Sequence, residues 1–131
     1  MTSQSHTGSC LCGAVAYALD GPLRDVVACH CAMCRKTHGH FAAYTAVPKA
    51  ALELTKSRGL RWYHSSASAR RGFCCECGGS LFWESLAGDH ISIAAGTLDG
   101  PTGLKSVVQI YVDDAGDYYD LPDVPIRKDQ D

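Results

Sequence analysis

Cysteine spacing constrains this chain more than any other feature. Seven of its eight cysteines fall into three groups: Cys10-x-Cys12, Cys29-x-Cys31-x-x-Cys34 and Cys74-x-x-Cys77. Four thiolates plus three is the arithmetic of one closed and one open zinc site. A structural Zn²⁺ takes four protein ligands, whereas a catalytic one takes three and leaves a position for water or substrate. The spacing therefore predicts a fold held by one metal and chemistry performed on another.

A disulfide framework is the competing use of these residues. Against it stand the i, i+2 and i, i+3 pairs, which suit one ion better than long-range cross-links, and a length of 131 residues. The first residues also lack the basic end and apolar run of a secretory signal. The expected compartment is cytoplasmic, where thiols stay reduced and paired cysteines more often hold metal than each other. A net charge of −2 gives no electrostatic footprint for nucleic acid or an anionic membrane surface. No stretch approaches the ~20 apolar residues that a membrane span needs. The sequence does not speak to oligomeric state.

Hydrophobic alternation and Gly/Pro punctuation predict short strands over residues 14–19, 26–29, 41–47, 52–55, 60–64, 70–73, 80–84, 91–95 and 107–112. Residues 32–38 read as a helical turn stopped near Gly39. The class is mainly β. A single domain over residues 8–125 is expected, with flexible ends at 1–7 and 126–131. The acidic stretch 113–131 reads as a solvated tail over the surface.

For the closed site, Cys74-x-x-Cys77-Gly78-Gly79 has the form of a zinc knuckle, because the glycines permit φ > 0 and let the chain fold back under the sulfur. Cys10-x-Cys12-Gly13 offers the second pair. Cys75-x-Cys77 is also a usable pair; the x-x spacing favours Cys74, leaving Cys75 as a buried residue or a spare thiol. Closing the long loop between the pairs is inexpensive, at about 0.6 kcal/mol per doubling of length. Metal binding at such sites contributes an apparent ~10–16 kcal/mol in zinc-finger peptides, against a net domain stability of ~5–15 kcal/mol. One ion is enough to decide whether the fold exists.

The open site groups Cys29, Cys31 and Cys34 on one short turn. Three thiolates on Zn²⁺ sum to a net −1, which blunts Lewis acidity toward water. A thiol entering the fourth position is still deprotonated by the metal. Thiolate activation is thus the chemistry suggested, rather than hydrolysis. The alternative is a second structural site completed by His30, His38, His40 or Cys75. His30, between two ligands, is expected to point away from the metal and hydrogen-bond behind them. His38 and His40 are candidates for a fourth ligand or proton shuttle. Arg35 and Lys36, directly after Cys34, are candidates for attracting a carboxylate.

These residues resemble the glutathione-dependent formaldehyde-activating enzyme family, whose domain also occurs in centromere protein V. The similarity runs through Gly8-Ser9-Cys10-Leu11-Cys12-Gly13, Cys29-His30-Cys31-Ala32-Met33-Cys34-Arg35-Lys36, Phe73-Cys74-Cys75-Glu76-Cys77-Gly78, Ser80-Leu81-Phe82-Trp83 and residues 91–99. It implies an Mss4-like β-tent of short antiparallel sheets stabilised by zinc. It also implies Cys10, Cys12, Cys74 and Cys77 as structural zinc ligands, and Cys29, Cys31 and Cys34 as catalytic ones. The implied activity is that of a carbon–sulfur lyase, with glutathione as co-substrate and formaldehyde reversibly giving S-hydroxymethylglutathione. Two departures are Cys75, at a knuckle position commonly Gly, Pro or Ser, and the pair His38 and His40. A methionine sulfoxide reductase of the same broad fold would need a separate redox cysteine, for which only Cys75 is left. The non-enzymatic alternative is a zinc-stabilised binding module.

Overall fold

Alternating apolar residues become strands close to where the pattern places them. A computed structural model describes residues 5–128. In chain order its strands are β1 (Ser5–Ser9), β2 (Ala16–Asp20), β3 (Val26–Cys29), β4 (Ala42–Pro48), β5 (Leu52–Lys56), β6 (Leu60–Tyr63), β7 (Ala69–Cys74), β8 (Ser80–Ser85), β9 (His90–Ala94) and β10 (Ser106–Ile110). One helix, α1 (Ala32–His38), follows β3. It ends where Gly39 takes a left-handed conformation at φ 79° and returns its N–H to the Arg35 carbonyl.

The strands form two sheets, one of three strands ordered β1-β2-β5 and one of seven ordered β10-β3-β4-β9-β8-β7-β6. Tyr17, Leu19, Val47, Leu81, Phe82 and Ile93 pack between them in one apolar cluster that includes Cys10 and Cys74. A second cluster, built from Val27, Ala42, Tyr44 and Ile110, includes Cys29 and Cys34. Each group of sulfurs is therefore rooted in its own patch of core.

The mainly β expectation holds, with three differences. β1 begins at Ser5 and pairs antiparallel with β2 from Ser5↔Asp20 to Ser9↔Ala16, so residues 5–7 belong to the domain rather than to a flexible end. β1 carries no apolar alternation; it exists because the β2 edge offers it a ladder. The sheets are also not purely antiparallel, since β10 runs parallel to β3.

The third difference is the C-terminal stretch, which folds back on β10. Gln109 is almost fully buried, and a buried amide requires partners on both its ends. Its Nε2 donates to the carbonyls of Pro122 and Val124, each at 2.9 Å. The backbone completes a bridge from Gln109 to Ile126, with Arg127 N donating to the Gln109 carbonyl at 2.9 Å. Residues 126–128 are thus pinned to the sheet; 129–131 lie outside the described residues.

Candidate metal centres

Two matching turns build the four-sulfur cluster. Between β1 and β2, Gly13 at φ 82° turns the chain so that its N–H reaches the Cys10 carbonyl. After β7, Gly78 at φ 79° does the same toward Cys74, at 2.8 Å. The sulfurs of Cys10, Cys12, Cys74 and Cys77 all lie within 4.8 Å of one another. Cys10 and Cys12 are 3.8 Å apart, and Cys12 and Cys74 3.7 Å. A tetrahedral ion with metal–sulfur bonds of ~2.3 Å sets its ligands about 3.8 Å apart, so the residues fit such an ion. Backbone N–H groups of Val15 and Glu76 point at Cys10 and Cys74 sulfurs, each at 3.4 Å, stabilising thiolates. Backbone N–H bonds at Cys12 and Gly79 help hold Cys77 down at about 6. The packing is close: a Cβ on Gly59 would come within 2.7 Å of the Cys74 sulfur. Cys75 is exposed and outside the cluster, while Cys74 is fully buried within it.

The three-sulfur cluster sits at the elbow between β3 and α1. Cys29 closes the strand and Cys34 lies on the helix. Cys31 caps the helix, accepting from the Cys34 N–H at 3.3 Å. The three sulfurs also lie within 4.8 Å of one another, and among the described residues no His, Asp or Glu joins them. Hydrogen bonds from Cys29 and Cys34 draw Cys31 down to about 2, while those with Cys31 and Cys34 push Cys29 up. Three thiolates packed in this space would require a cation. The donor set fits a soft, thiophilic ion with one coordination position left to a ligand from outside.

The three candidate histidines, His30, His38 and His40, have other partners. His30 is fully buried, bonded through Nε2 to Gln109 Oε1 at 2.9 Å and through Nδ1 to Tyr119 Oη at 2.8 Å. Because Gln109 spends its N–H donors on two carbonyls, its oxygen faces His30. The ring therefore carries its proton on Nε2 and accepts from Tyr119. Burial holds its pKa below the ordinary value, so it is neutral and points away from the sulfurs. His40 meets the Tyr118 hydroxyl at 3.0 Å and packs against Phe41 and Tyr119. Only His38 approaches the trio's surroundings, through Tyr44 Oη at 2.9 Å.

Arg71, on β7, is the residue that motif reading misses. Its Nη1 and Nη2 both stand 3.7 Å from the Cys34 sulfur. Nη1 also donates to Tyr44 Oη at 3.3 Å, which leaves the Tyr44 hydroxyl proton for His38 Nε2. Burial works against the Arg71 charge, but Tyr44, Cys34 and Cys31 outweigh it and hold its pKa above the ordinary value. The available sequence signal is a cation at an inward-facing position of an alternating strand. Arg35 and Lys36, by contrast, do not line the cavity above the sulfurs.

That cavity has a volume of about 520 Å³, with Cys29, Cys31 and Cys34 in its wall beside Val27, Trp83 and Ile110. Its size is that of a pocket for a small organic ligand.

Residues 5–114 match the model of the glutathione-dependent formaldehyde-activating enzyme family. The chain belongs to this family. A protein of Schizosaccharomyces pombe named as an uncharacterized lyase is 29% identical over 118 residues, covering 88% of this chain and 85% of that protein. Among solved structures, a Rhodobacter sphaeroides protein shares the fold, with a TM-score of 0.62 at 23% identity over 74% of this chain and 91% of that one. Family membership and the lyase-named relative point to a lyase connected with glutathione, and the two cysteine clusters have the make-up of metal sites.

Proposed function

We propose that the protein is a zinc-dependent carbon–sulfur lyase acting on a glutathione adduct. Its reaction is the reversible joining of glutathione and formaldehyde to S-hydroxymethylglutathione, or that of a related thiol adduct. The observation that carries this reading is a three-sulfur cluster with no fourth Cys, His, Asp or Glu beside it among the described residues, in the wall of a ligand-sized cavity. Cys29, Cys31 and Cys34 would hold a Zn²⁺, which when bound would supply a positive centre favouring the thiolate form of an incoming thiol.

The chain's own side chains do the rest. Arg71 offsets the surplus negative charge of three thiolates, which otherwise repels a fourth. Val27, Trp83 and Ile110 keep that wall of the cavity apolar, so the nucleophilic sulfur is poorly hydrated and reactive. In the joining direction a carbon–sulfur bond forms and the carbonyl oxygen takes a proton. In the reverse direction the hydroxyl gives that proton up as the bond breaks. The proton the thiol gives up is the one the oxygen takes, and Tyr44, lining the cavity and hydrogen-bonded to His38, is placed to relay it rather than store it. The four-sulfur cluster is assigned a structural role.

The test is exchange between ¹³C-formaldehyde and S-hydroxymethylglutathione, followed by NMR. The wild-type protein is expected to accelerate exchange above the buffer rate. Cys31→Ser, which keeps the helix cap, is expected to return it to that rate with the fold intact. Exchange at the buffer rate with the metal-loaded wild type contradicts the proposal and leaves the non-catalytic binding module.

A further inference from the structure

Part of the cavity wall is a piece of chain with little core of its own. Beyond β10 the chain crosses the surface, and Tyr111, Asp114 and Arg127 line the cavity. No residue from 111 to 128 is buried, so hydrogen bonds hold this stretch more than apolar packing does. It leaves β10 at Tyr111, whose left-handed φ of 56° is rare for a bulky residue. It returns to β10 where Ile126 bridges to Gln109.

The side-chain bonds along it converge on one residue beside the sulfurs. His30 separates Cys29 from Cys31 in the chain, and its N–H donates to the Ile110 carbonyl at 3.1 Å. Its ring is held twice more, by Gln109 and by Tyr119, with Phe41 and Tyr119 packed against it. Gln109 passes the hold on to the carbonyls of Pro122 and Val124. Tyr119 donates to His30 and accepts from the Gly116 N–H at 3.3 Å. A fixed ring leaves the backbone at 29–31 little freedom, and the sulfurs on either side of it no more. Groups behind the ligands of a metal site commonly set ligand direction in this way.

We propose that Gln109 and Tyr119 are positioning residues for the sulfur trio. Acting through His30, they fix Cys29 and Cys31 and latch the C-terminal stretch over the cavity, so that ion binding and closure of this wall reinforce one another. This rests on the reading of the trio as a metal site and adds a movable wall to it. An ion that gathers Cys29 and Cys31 also stills His30, and the latch then costs less order to form. The coupling is reciprocal: whatever the ion contributes to closure, closure contributes to holding the ion. An open wall admits a ligand, and a closed one shields it from water.

The test is backbone hydrogen exchange on the full-length protein carrying two zinc ions, repeated after a chelator has left one. The amides read are those of Gly116 and Arg127, which donate to Tyr119 and Gln109. They are expected to exchange about tenfold faster with one ion than with two, within the usual range of coupling between sites. Equal rates overturn the coupling, and this comparison needs no variant. Tyr119→Phe keeps the ring and deletes its bond to His30. It is expected to weaken the second ion about tenfold against the chelator and leave the first unchanged, by the same reciprocity. A variant that loosens the stretch yet holds both ions as the wild type does shows a structural latch only and overturns the proposal. Two ions with equal exchange rates sink the coupling alone; a wild type that never takes a second ion sinks the open metal site and the coupling with it.

Discussion

Arg71 shows how one side chain outside every motif changes what a metal site does. Three thiolates on a divalent ion leave an excess negative charge, and Arg71 brings a guanidinium within 3.7 Å of one of them. Arg71→Met keeps much of the volume and removes the charge. The expected outcome is a fall of about 10–100-fold in the exchange rate with the metal still bound, the scale of a hydrogen bond to a charged group. NMR exchange and metal analysis on the same sample check it; an unchanged rate contradicts the role. The sulfur groups were legible in the sequence because ligands two and three residues apart share a turn whatever the surrounding fold. Arg71 is 37 residues from Cys34, and its strand is joined to β3 only through the sheet order β3-β4-β9-β8-β7. His30 is an intermediate case. Its position between two ligands announced that it faces away, but its partners Gln109 and Tyr119 are 79 and 89 residues distant.

At the scale of elements, alternation located most strands because one face of each is buried. β1 escaped because it is polar, and what holds it is a ladder to β2 and the passage of Tyr17 beneath it. A Cβ on Gly8 would overlap the Tyr17 phenol, so the glycine is there for close approach. Tyr17 Oη meets Thr97 Oγ1 at 2.6 Å, tying the three-stranded sheet to the turn after β9. Burial pushes the Tyr17 pKa up to about 12. The folded state therefore holds this proton in a window where the unfolded chain, titrating near 10, has lost it. The contribution is complete below pH 10 and declines as pH rises toward 12. Chemical denaturation at pH 9 and pH 11 is expected to show lower stability at the higher pH, and a smaller difference in Tyr17→Phe. An identical difference in the variant contradicts this assignment. The C-terminal stretch runs over the surface as its composition suggests, with no buried residue from 111 to 128, but it is tied down. Its acidity suggested a solvated tail, whereas Gln109, an inward-facing amide on β10, needed acceptors and found them in Pro122 and Val124.

For the molecule as a whole, the four-sulfur cluster joins the turn after β1, in the smaller sheet, to the turn after β7, in the larger. With an ion bound, it would be a coordinate link between two layers that otherwise meet through side chains. Loss of one ligand is expected to separate them: Cys74→Ser should lose about one equivalent of metal and unfold the protein, because structural sites contribute folding free energy directly. Cys75→Ser should keep both metal and fold. Circular dichroism with metal analysis distinguishes the two, and the reverse pattern would exchange their assignments. The three-sulfur cluster is anchored in a separate core, so an ion held there would carry no such bridging duty. Unequal use of the two clusters is the central claim. It is tested most directly by loading the protein with cobalt, challenging it with a chelator and then adding glutathione. The account predicts two bound ions. One resists the chelator and has a spectrum indifferent to thiols; the other is released more readily and changes its spectrum when glutathione arrives. Two ions that both ignore glutathione, each already surrounded by four protein ligands, would contradict it.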